Sequence, residues 1–136
     1  MYRYPKTLIG LVSDEQRVKL LTIKISSVEQ FRIAANNGCA EAIKQTLNID
    51  DAKLTQLKNK SDLFMLDGVK GKTCKLLNEI GIETLNQLAN QDAQILALCM
   101  KSANSRLKIM KINHKLAMVT KMILQARELM AKTEGI

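Results

Sequence analysis

Residues 66 to 88 read Leu66-Asp67-Gly68-Val69-Lys70-Gly71-Lys72-Thr73-Cys74-Lys75-Leu76-Leu77-Asn78-Glu79-Ile80-Gly81-Ile82-Glu83-Thr84-Leu85-Asn86-Gln87-Leu88. A helical pattern ends at Gly68, where a glycine supplies the left-handed backbone that closes a helix. Val69 between glycines turns the chain, and a second helix follows at once, with Cys74, Leu76 and Leu77 at helical spacing up to Gly81. The Gly81-Ile82 step then leads to Thr84 and Gln87, the spacing at which a hydroxyl and an amide satisfy each other's free backbone amides in a capping box. Three helices with two glycine-bounded turns are packed into one short stretch.

The same punctuation recurs outward. Ser13 with Gln16 opens a helix to about Leu21, and Ser26 with Glu29 opens one to about Asn36, with Gly38 beyond it. A helix covers Cys39 to Leu47, and another starts after Asp50 with Leu54, Leu57, Phe64 and Met65 on one face. Asp92 caps a helix bearing Leu96, Cys99, Met100 and Ala103. Asn113 is expected to cap a last one, with Leu116, Val119, Ile123, Ala126 and Met130 at steps of three and four. Eight helices joined by short turns result.

A shift of 57 residues places Val12 on Val69, Leu20 on Leu77, Ile23 on Ile80, Ile25 on Ile82 and Gln30 on Gln87. It also puts Ser27 on Thr84 and Phe31 on Leu88, so a helical hairpin unit is duplicated. In that register Leu11 stands on Gly68 and Lys24 on Gly81, while Gly10 is one place off. The first copy therefore reads as degenerate.

Composition agrees with an all-α chain. Of 136 residues 46% are hydrophobic and 3% aromatic, with one proline and no tryptophan, which is helix-forming rather than strand-forming material. Mean hydropathy of -0.08 and the absence of a long apolar run predict no membrane insertion and no signal peptide, hence a soluble, cytoplasmic protein. Cys39, Cys74 and Cys99 form no Cys-x-x-Cys pair, so neither a disulfide framework nor a zinc site is indicated, and buried reduced thiols are expected. No nucleophile-base pair, phosphate loop, metal-ligand set or cofactor motif is found, which predicts a non-enzyme without cofactor or metal.

The Gly68-Val69-Lys70-Gly71 hairpin, with Cys74 and Leu77 after it, resembles the helix-hairpin-helix motif. In that motif the turn's amides and the next helix N-terminus hold a DNA phosphate without reading sequence. Lys70 stands where the second glycine belongs, and a left-handed conformation there would cost about 1 kcal/mol unless Gly71 absorbs the turn. Over about residues 8–130 the layout is similar to an uncharacterised bacterial and cyanobacterial domain family of tandem helix-hairpin-helix units. Short linkers without a Gly/Ser, Pro-rich or low-complexity run keep residues 1–136 as a single domain, in which the degenerate first unit covers 8–62. A second unit with a closing C-terminal amphipathic helix, packed across both, covers 63–136.

Partners follow from charge. Twenty-one Lys and Arg against thirteen Asp and Glu give +8, which favours polyanions. Between Asp92 and Glu128 there is no acid, but Lys101, Arg106, Lys108, Lys111, Lys115, Lys121 and Arg127 are present. The nucleic-acid candidates are Gly68, Val69, Lys70, Gly71, Lys72 and Lys75 at the hairpin, with Lys108 and Lys111 in the basic stretch. The alternative is a protein-interaction scaffold, in which the glycines serve a packing turn and the lysines a solvated face; lipid-surface binding is a third reading, and the oligomeric state is open. His114 is expected to be exposed, and Met110, Met118, Met122 and Met130 to fill core.

Overall fold

The computed structural model describes residues 6–134. Among them are eight α-helices and only two isolated β-bridges, Thr7 with Ser27 and Ile9 with Val12. Two compact units divide the chain, Met1–Met65 and Leu66–Ile136.

The first unit holds α1 (Asp14–Leu21), α2 (Val28–Ala35), α3 (Ala40–Leu47) and α4 (Asp51–Phe64). α2 packs on α3 and α4, and α1 on α3. Leu8, Leu20, Val28, Phe31, Ile43 and Leu63 are fully buried, and Arg32 Nε donates to Asp62 at 2.8 Å to tie α2 to α4. The second unit holds α5 (Gly71–Glu79), α6 (Leu85–Ala89), α7 (Ala93–Leu107) and α8 (Leu116–Glu134). There α8 packs on α6 and α7, and α5 on α7.

Caps account for most boundaries. Ser13 with Gln16 and Thr84 with Gln87 are complete capping boxes, and Asp50 and Asp92 accept from the amides of Lys53 and Ile95. At α2 the cap is Ser27, accepting from the Gln30 amide, and not Ser26. The Gln30 side chain instead takes the Ser26 amide at 2.8 Å, as Gln87 takes that of Glu83 at 2.6 Å. The same hydrogen bond is therefore made at two places 57 residues apart.

Two turns correspond as well. Leu11 and Val69 donate their amides to the carbonyls of Leu8 and Leu66, and Gly10 and Gly68 both take positive φ, 88° and 80°. Gly10 thus does the work of Gly68, and the expectation that the first copy lacks this glycine is corrected: one extra residue lies between Gly10 and α1. Both following helices end alike, the amides of Ile25 and Ile82 reaching back to the carbonyls of Leu20 and Leu77. The left-handed position is Gly81 in one (φ 89°) and Lys24 in the other (φ 64°).

α8 begins at Leu116, later than expected, because the Asn113 side chain is occupied as acceptor from Asn104 Nδ2 at 2.9 Å. Val119, Met122, Ile123 and Ala126 form its buried face, whereas Leu116 and Met118, at its open first turn, are 46% and 44% exposed. Of Met110, Met118, Met122 and Met130, only Met122 is fully buried. Cys74 is buried, but Cys39 and Cys99 are exposed: Cys39 precedes the first turn of α3, and Cys99 lies on the outer face of α7 beside Leu98.

Candidate nucleic-acid interface

The turn from Leu66 to Val69 is anchored at both ends. Leu66 and Val69 are buried, and between them the Asp67 amide donates to Gln125 Oε1 at 3.0 Å while Gln125 Nε2 donates to Asp67 Oδ2 at 2.8 Å. Lys121 stands 3.6 Å from the same carboxylate and offsets its charge. Gly68 is exposed at the tip, and a Cβ there would lie 3.2 Å from Met118 Cε.

Lys70 is the N-cap of α5, extended at φ −129°, so the feared left-handed lysine does not occur and Gly71 absorbs nothing; it is the first helical residue. No side chain caps this helix and its first turn contains no acid. The amides of Gly71, Lys72 and Thr73 are thus the uncompensated positive end of the helix dipole. Lys70, Lys72 and Lys75 are all exposed around them.

The equivalent start in the first unit has the opposite character. Ser13, Asp14 and Glu15 occupy the places of Lys70, Gly71 and Lys72. There the serine accepts from the Gln16 amide at 3.1 Å and two carboxylates sit in the first turn. One turn geometry has been given two electrostatic characters.

The basic stretch after Asp92 is divided by its contacts. Lys121 serves Asp67, and Arg127 Nε donates to the Ala89 carbonyl at 2.8 Å, closing the end of α6. Lys108 and Lys111 are exposed on the loop between α7 and α8. Asn104, buried, braces that loop: Nδ2 donates to the Met110 carbonyl and to Asn113, and Oδ1 accepts from the Met110 amide at 2.7 Å. Lys108 caps α7 in the left-handed conformation (φ 53°), its amide donating to the Asn104 carbonyl.

Met110, Ile112, Asn113, His114, Lys115, Ala117 and Met118 share an open concavity of about 470 Å³ with Gly68 and Thr73. Gly68 of the hairpin and the loop that carries Lys108 and Lys111 therefore border one concavity, with Lys115 as the lysine that lines it. His114 lies there and is half-buried, not exposed, with Nε2 2.9 Å from Thr73 Oγ1. Burial holds its pKa below the ordinary histidine value. Sequence reasoning missed this pairing because nothing local links a threonine and a histidine on distant segments.

Among the described residues no group of three or more His, Cys, Asp or Glu is placed to hold a metal ion, and no helix is long and apolar enough to cross a membrane. No curated protein and no solved structure matches the chain. A family match does exist, over residues 11–129, which takes in all of α1 to α7 and most of α8: the chain belongs to the family described as Domain of unknown function (DUF4332).

Proposed function

We propose that this chain is a non-enzymatic, sequence-independent DNA-binding module built of tandem helix-hairpin-helix units, in which the second unit holds a backbone phosphate. The observation that carries the reading is the contrast between the two equivalent helix starts. α1 is capped by Ser13 and flanked by Asp14 and Glu15, whereas α5 is uncapped and flanked by Lys70, Lys72 and Lys75. Free amides at a helix N-terminus with lysines beside them suit a phosphate and carry no base information. Lys108 and Lys111, on the loop bordering the same concavity, extend the positive surface.

Titration of labelled duplexes of unrelated sequence tests the reading. Lys72→Glu is expected to weaken binding to all of them equally, and a loss confined to one sequence would refute it. A protein-interaction scaffold is the second reading, favoured by Ile95 and Leu98, 60% and 68% exposed on α7. It forecasts negligible DNA affinity at moderate salt and co-purification of a defined protein.

A further inference from the structure

We propose that Ile112 is an apolar wedge that enters the minor groove of duplex DNA at a base step; the inference rests on the DNA-binding reading above and names the contact that reading lacks. At 77% exposure Ile112 is the most solvent-exposed large hydrophobic residue described. Its exposure is not that of a loose loop. Asn104 fixes the segment before it through the Met110 amide and carbonyl, and the segment after it through Asn113.

On this braced loop Ile112 contributes little to the chain's own packing and is placed to bury its side chain against a partner. The chemistry of the partner follows from the neighbours. Lys108, Lys111 and Lys115 are exposed on the same loop, with no acidic residue anywhere between Asp92 and Glu128. Ile112 and Lys115 border the concavity that also contains Gly68 and Thr73, at the uncapped start of α5. A single apolar tip with cations on both sides fits a groove about 6 Å wide between two rows of phosphates, too narrow for a helix. Isoleucine is among the side chains that part base steps in this way, kinking the duplex.

The test uses the full chain and a duplex carrying 2-aminopurine at a central pyrimidine–purine step. Wild type is expected to raise the fluorescence as the step unstacks. Ile112→Ala should bind about five- to tenfold more weakly, the loss of one partly buried side chain, and abolish the fluorescence rise. Its dependence of log affinity on log salt should stay unchanged, since no counterion is involved. Ile112→Leu should restore both signals, and circular dichroism should show both variants folded. Lys111→Ala should do the reverse, flattening the salt dependence by about one unit while keeping the fluorescence rise.

Wild-type affinity in Ile112→Ala with reduced affinity in Lys72→Ala would overturn the wedge alone; unchanged affinity in both would overturn the wedge and the phosphate site together. Loss of Ile112→Ala binding to phosphatidylglycerol vesicles, with duplex binding intact, would assign the tip to a lipid surface and refute the proposal.

Discussion

Exchanging the residues at the two left-handed helix ends is expected to shift stability in opposite directions. Gly81 and Lys24 occupy equivalent positions, with φ of 89° and 64° and the same pair of backbone hydrogen bonds around each. At Gly81 an added Cβ would meet nothing within 4 Å, so the substitution acts through the backbone alone. An L-residue pays about 1–2 kcal/mol in this conformation, partly offset by about 0.5–1 kcal/mol because it loses less freedom on folding than glycine. Gly81→Ala should therefore destabilise by about 1 kcal/mol, and Lys24→Gly should stabilise by roughly 0.5 kcal/mol. Urea denaturation followed by circular dichroism reads both as shifts of midpoint at constant slope. A neutral Gly81→Ala together with a destabilised Lys24→Gly would refute the reasoning, since it would mean that side-chain contacts, not backbone conformation, govern the two ends.

Three further outcomes follow from single contacts. Gly68→Ala should cost about 1–2 kcal/mol, and adding Met118→Ala should recover only a small part, because the positive φ contributes more than the flexible Met118 Cε 3.2 Å away; urea midpoints of the single and double variants decide it. Asn104→Ala should cost about 2–3 kcal/mol by stranding the Met110 amide and carbonyl, and should increase hydrogen exchange at the Met110 amide. Burial lowers the folded-state pKa of His114, so between that value and the unfolded 6.5 the unfolded chain binds more protons; the stability this confers is present above 6.5 and is lost as pH falls. Urea midpoints at several pH values should show this acid sensitivity in wild type and less of it in His114→Gln.

Local chemistry was legible in the sequence, and long-range competition was not. Ser13 with Gln16, Thr84 with Gln87, Asp50 and Asp92 cap the helices that their spacing predicts, because a cap and its amide lie within one turn. Ser26 and Ser27 are adjacent, as are Glu29 and Gln30, so spacing alone allowed two registers; the match of Ser27 to Thr84 already pointed to the right one. Asn113 fails as a cap because Asn104, nine residues earlier, takes its side chain, which no local pattern reveals. The hairpin glycines and lysines were visible at the candidate site. The uncapped start of α5, the loop that shares its surface and the Thr73–His114 pair emerge only when distant segments are placed together.

The salt dependence of duplex binding by wild type and Lys72→Ala tests the phosphate site most directly. Each phosphate neutralised releases counterions, so removing one lysine contact should flatten the slope of log affinity against log salt by about one unit. Lys53→Ala is the matched control; Lys53 is exposed near the start of α4, in the unit whose hairpin helix is already capped. The account predicts a flatter slope and weaker binding for Lys72→Ala, with Lys53→Ala indistinguishable from wild type. Equal slopes in wild type and Lys72→Ala, or no duplex affinity in wild type at low salt, would contradict it.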